Sequence, residues 1–144
     1  MKSYFLTAVL LHAILWGASA QNLKTAQVPA TVQSELLKRY PEASHAKVNW
    51  EKEKGNYEAN WGGKSGEDNS ALFTPAGTFI ELVKAIPVTQ LPATAIDYIQ
   101  KHENGAKIKE AGLITDAQGV ATYKAEIKGK ELIFDKSGNY LKSE

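Results

Sequence analysis

"LIFDKSGNYLK", residues 132–142, is the stretch whose reading decides the fold. An acid, a lysine, a serine, a glycine and an asparagine stand in a row between apolar segments, which suits either a cation-binding loop or a turn between two strands. A second stretch separates the two. "ALFTPAGTFIE", residues 71–81, matches it position by position: Phe73 with Phe134, Gly77 with Gly138, Phe79 with Tyr140 and Ile80 with Leu141. A cation site at Asp135, Ser137 and Asn139 should leave oxygen ligands in the matching stretch, which instead carries Thr74, Ala76 and Thr78. The glycine is kept, as a short hairpin demands where one residue must take a positive φ. The acidic spacing and terminal glutamate of an EF-hand are absent. The stretch is read as a turn, and no metal is expected.

The match extends upstream. "VPATVQSELLKRY" from Val28 answers "LPATAIDYIQKHE" from Leu91, "AKV" from Ala46 answers "AKI" from Ala106, and "YEANW" from Tyr57 answers "YKAEI" from Tyr123. Pro29 and Pro92 suit the first position of a helix, where a missing N–H costs nothing. Val32, Leu36, Leu37 and Tyr40 recur at helical spacing, as do Ala95, Ile96 and Ile99; Pro41 ends one helix and Asn104-Gly105 the other. Alternating apolar residues then mark strands around Trp50, Tyr57 to Trp61, Phe73, Ile80, Lys107 to Thr115, Val120 to Ile127, Glu131 to Phe134 and Asn139 to Leu141. The sequence thus predicts an α+β fold made of a tandem repeat, each unit one helix followed by a four-stranded antiparallel sheet, with the helices on one face. Residues 28–87 form the first unit and 88–144 the second, preceded by a short segment, 21–27. One unit of about 60 residues is marginal alone, so the pair is expected to share a core.

The start of the chain sets the compartment. Lys2, an apolar run from Tyr4 to Trp16 and the small residues Gly17 to Ala20 have the pattern of a secretory signal peptide, 1–20, with cleavage after Ala20. The run is too short for a spanning helix. The chain contains no cysteine, so no disulfide or lipid-modified N-terminus is expected, and a periplasmic or secreted location follows. Loss of Lys2 leaves 16 basic against 16 acidic residues. That neutral balance argues against nucleic acid as a partner, and no membrane association is expected after cleavage.

"VPATV", "KRYP", "AKV-x-WEKE-x-G-x-YE", "LPATAI", "AKIKEA" and "YKAEIKGKELIFDKSGNYL", behind a signal peptide, resemble the PepSY-like, β-lactamase-inhibitor-like exported bacterial proteins over nearly all of the mature chain. The resemblance rests on prolines, turn glycines and alternating apolar residues. It implies helix-and-sheet repeats whose sheets join, with helices on one face and the other partly open. It also implies a binding role: PepSY-type domains are thought to bind or restrain peptidases, and the fold's namesake inhibits an enzyme through its open sheet face.

The residues argue against catalysis. The mature chain has only His45 and His102, and the segment after His102 lacks the second histidine of a zinc-protease helix. Gly63-Lys64-Ser65 echoes the end of a phosphate loop, but Glu58 stands where its first glycine belongs. Glu51, Glu53, Glu58 and Glu126 alternate with apolar residues, as a solvated strand face does. No cofactor is expected. Two features suit binding. The segment Gly62 to Asn69 joins two strands where the other unit uses only Lys128-Gly129-Lys130, making Gly63, Lys64, Ser65, Glu67, Asp68 and Asn69 candidate contacts. Trp50 matches Glu110 rather than an apolar residue, so it is a candidate for partial exposure, beside a packing role between sheet and helix. The expected activity is non-enzymatic binding of a protein or peptide in the cell envelope. The alternatives are a glycan or cell-wall module using exposed sheet aromatics, and an envelope stress protein that only scaffolds. An exposed aromatic strip favours the glycan; a face of mixed Lys and Glu with scattered apolar residues favours a protein.

Overall fold

The computed structural model describes residues 21–144; the signal-peptide segment and its cleavage site lie outside the described residues. Nine strands form one antiparallel sheet in which spatial order follows chain order. They are β1 (Gln21–Leu23), β2 (Asn49–Glu53), β3 (Asn56–Trp61), β4 (Asn69–Phe73), β5 (Phe79–Ile86), β6 (Glu110–Asp116), β7 (Ala121–Ile127), β8 (Lys130–Asp135) and β9 (Tyr140–Ser143). Helix α1 (Ala30–Arg39) lies in the chain between β1 and β2, and α2 (Ala93–His102) between β5 and β6.

This corrects the expected tandem repeat of a helix plus a four-stranded sheet. At the proposed boundary, β5 and β6 pair from Glu81↔Asp116 to Ile86↔Ala111, on an antiparallel ladder like those elsewhere in the sheet. Two separate sheets would each have exposed an edge there, with unpaired backbone groups. The segment 21–27 also contributes a strand. Gln21–Leu23 pair with Lys52 to Trp50 and extend the sheet beyond β2. Two ten-residue helices on nine strands make the described residues predominantly sheet.

Both helices cover the same side. Pro29 and Pro92 sit one position earlier than expected, as N-caps, and their carbonyls accept the first helical bonds from Val32 and Gln33, and from Ala95 and Ile96. The α1 stripe buries Val32 and Leu36 against Trp50, Ala59, Trp61, Ala71, Phe73, Phe79 and Leu82. Leu37, expected in that stripe, is instead 44% exposed, because its position on the helix turns it away from the sheet. The α2 stripe buries Ala95 and Ile99 against Ala111, Ala125, Ile127, Leu132 and Phe134.

The turn in the opening stretch docks one of these helices. Asp135 spends its carboxylate on its own loop: Oδ1 accepts N–H bonds from Ser137 (2.8 Å) and Asn139 (2.9 Å), and Oδ2 accepts the Asn139 side-chain amide at 2.9 Å. These bonds, the Asn139 side-chain amide first, hold the Asp135 carboxyl below its usual range. Gly138 has φ +87°, and a Cβ there would fall 2.7 Å from Pro92 Cβ and 2.9 Å from the Ala95 nitrogen. Glycine is required both by conformation and by the close approach of α2. Gly77 (φ +85°) comes similarly close to the Thr31 carbonyl at the start of α1.

Candidate functional site

Strand alternation sends one set of side chains into the helix-covered core and the other to the opposite face, which no element among the described residues covers. This open face holds a cleft of about 610 Å³. Leu72, Val83, Ile114 and Ile133 form its apolar floor, and Ser70 and Thr122 add hydroxyls. Around them stand the carboxylates of Glu53, Glu58, Glu81, Asp116, Glu131 and Glu144, and the ammonium groups of Lys54, Lys124 and Lys142. The sheet curls enough for its distant parts to meet: Lys54 Nζ, in the β2–β3 turn, lies 4.0 Å from Glu144 at the end of the chain.

Some charges on this face are paired. Lys124 donates to Glu131 at 3.1 Å, and Lys142 to Glu144. The Lys142 hydrogen bond holds the Glu144 carboxyl below its usual range. Others are not. Among the described residues, no lysine, arginine or histidine nitrogen lies within 4 Å of the Glu58, Glu81 or Asp116 carboxylates. Glu58 accepts the Ser70 hydroxyl, and Asp116 accepts the N–H groups of Gln118 and Val120 in its own turn. Desolvation raises the Glu81 pKa, with the charge of Glu144 adding to it, and raises that of Glu53, where Glu58 adds.

The residues singled out from the sequence fall elsewhere. Trp50 is 4% exposed, in the core under α1, so the packing role holds and partial exposure is corrected. Its alternation register places the indole on the covered side, whatever stands at its match in the other stretch. Gly63, Lys64, Ser65, Glu67 and Asp68 belong to the β3–β4 connection and Asn69 opens β4, and none of them lines the large cleft. Ser65, Glu67 and Asp68 border a second cleft of about 370 Å³ with Ala85 to Val88 and Lys109 to Ala111. The connection is pinned: Asp68 O accepts the Ala85 N–H at 2.9 Å, and the Asn69 amide donates to Trp61 O at 3.3 Å. Glu67 links it to the open face: its charge, after desolvation and Glu58, raises the Glu51 pKa.

The floor residues Leu72, Val83, Ile114 and Ile133 are the ones sequence reasoning missed. Period-two alternation would have found them, since each is an apolar residue on the polar phase of its strand. No group of three or more His, Cys, Asp or Glu able to hold a metal ion occurs among the described residues. No helix among them is long and apolar enough to cross a membrane.

No family model matches the chain, and no curated protein matches it in sequence. Solved structures do. A protein of Bacteroides eggerthii described as periplasmic superposes with TM-score 0.65 at 17% identity, covering 81% of this chain and 88% of its own. A DUF2874 family protein from Bacteroides ovatus gives TM-score 0.61 at 19% identity, over 81% and 86%. A BLIP-like protein from Bacteroides fragilis gives 0.58 at 16%, over 81% and 84%. At these identities the likeness is one of fold, and the fold is BLIP-like.

Proposed function

We propose that this chain is an exported, non-enzymatic module that binds a protein or peptide of the cell envelope on the open face of its sheet. The observation that carries the reading is the composition of that face: buried and half-buried aliphatic side chains ringed by charged ones, in a cleft of about 610 Å³. Specific protein interfaces combine an apolar centre with a polar rim in this way. The periplasmic description of the Bacteroides eggerthii neighbour and the BLIP-like fold support an envelope location and a binding role. The PepSY-like resemblance adds a peptidase as one class of target. The glycan alternative needed an exposed aromatic strip, and Trp50 and Trp61 are both in the core.

The test fills the cleft. Thr122, on the open face of β7, is replaced by Trp in residues 21–144, and both forms are used to capture protein from an envelope extract. Capture by the native chain that is lost in the Thr122→Trp variant, with unchanged thermal unfolding, is the expected result. Capture that survives the filled cleft contradicts the reading.

A further inference from the structure

The register of the sheet places carboxylates directly opposite one another on the open face. Glu51 pairs with Glu58, Glu58 with Leu72, Leu72 with Glu81, and Glu81 with Asp116. A single row thus crosses β2 to β6 with four acids and one leucine, at a strand spacing of about 4.8 Å. Like charges directly opposite each other destabilise a sheet, and water screens them less in a concave, partly apolar cleft than on an open surface. The lysines of the cleft relieve them only in part: Lys54, Lys124 and Lys142 lie near Glu53, Glu131 and Glu144, and Lys124 and Lys142 act on Glu81 only from beyond ion-pair distance.

We propose that the partner presents a lysine- or arginine-bearing extended segment, which lies across β2 to β6 with its cations on this carboxylate row and its apolar side chains on Leu72 and Val83. The proposal rests on the open-face binding reading and specifies its chemistry. It follows from charge complementarity on an unpartnered sheet face. Six carboxylates face three lysines in the cleft, and Glu58, Glu81 and Asp116 are without an ion pair among the described residues. An extended chain sends alternate side chains to one side about 6.8 Å apart, so several cations reach a row that is about 19 Å long over five strands. An acidic segment would meet uncompensated repulsion. Partial desolvation of Glu81 and Glu53, which already disfavours their ionised forms, gives a cation more to gain there than on an open surface.

The experiment measures fluorescence anisotropy of an alternating alanine–lysine octapeptide and its alanine–glutamate counterpart with residues 21–144, at low and at near-physiological salt. The expected result is at least tenfold tighter binding of the cationic peptide, weakening with salt as screening shortens the field. A Glu58→Gln/Glu81→Gln double variant should lower that affinity at least fivefold, while Glu35→Gln/Glu42→Gln on the helix side leaves it unchanged. Should the first double variant unfold, Glu51→Gln with Asp116→Asn tests the same row. Equal binding of both peptides, no binding at low salt, or equal loss from the helix-side variant overturns the proposal. If the cationic peptide fails while the filled cleft still abolishes protein capture, the open face binds a partner of other chemistry. If the peptide binds the row but capture ignores the filled cleft, the open-face protein-binding reading fails.

Discussion

The two faces of this sheet are made by the same strands and do opposite things. On the covered face, Phe73, Phe134, Leu132 and Ala125 are fully buried under the helices, and among the described residues no charged side chain is buried with them. On the open face of the same sheet, Glu58, Glu81 and Asp116 stand over a cleft without ion pairs among the described residues. A face built only to be soluble would interleave opposite charges across strands, which stabilises a sheet. Here Glu51↔Glu58 and Glu81↔Asp116 place like charges opposite each other. The covered face therefore accounts for stability and the open face tolerates a local cost. That division separates the residues that hold the protein together from those available to a partner.

The sharpest way to break the comparison is to damage the covered face. Phe134→Ala should cost about 3–5 kcal/mol, because it removes a fully buried ring and leaves a cavity against Tyr98 and Ile99. Chemical denaturation measures it, and a loss below about 1 kcal/mol would show that the helix-side core is not the main source of stability. Next in size is a pair of turn glycines. Gly129→Ala faces open space and should cost only the positive-φ strain, about 1–2 kcal/mol. Gly138→Ala adds a collision with Pro92 and the Ala95 nitrogen and should cost clearly more. Equal losses at the two sites would show that the β8–β9 turn does not lock onto α2.

The smallest effect has the opposite sign. The folded-state pKa of Glu81 is raised by desolvation and then by Glu144, so between the ordinary glutamate range and that raised value the folded state binds more protons than the unfolded one. The stabilising contribution of protonation is full below the ordinary range and is lost as pH rises through the raised value. Glu81→Gln should therefore raise the melting temperature slightly at neutral pH and converge on the native chain in mild acid. A lower melting temperature at neutral pH would mean that the ionised Glu81 has a compensating partner.

Local chemistry was legible in the sequence and long-range pairing was not. The glycine kept between Gly77 and Gly138 pointed to hairpins, and both lie in turns with positive φ. The stripes through Val32 and Leu36 and through Ala95 and Ile99 marked two helices. The grouping of strands failed, because nothing local distinguishes a β5–β6 ladder within one sheet from two free edges. The three-residue β1 was missed for a related reason: Gln21 and Asn22 are exposed and carry no apolar period, and their partner β2 is 26 residues on. Trp50 misled because its match to Glu110 suggested exposure, whereas its own strand phase already placed it beneath α1. The open-face row was visible as alternating glutamates, but only the register shows that they stand opposite one another.

The most direct test uses the absence of cysteine from the chain, which allows a photocrosslinker to be placed at one chosen residue. It would be attached to Thr122→Cys or Val83→Cys on the open face, to Ser34→Cys or Asp97→Cys on the exposed side of the helices, and to Lys64→Cys in the β3–β4 connection. Each labelled chain would then be irradiated in an envelope extract. The account predicts a discrete crosslinked protein from the two open-face positions and none from the helix positions. The same product from Ser34 or Asp97, with nothing from Thr122 or Val83, would contradict it.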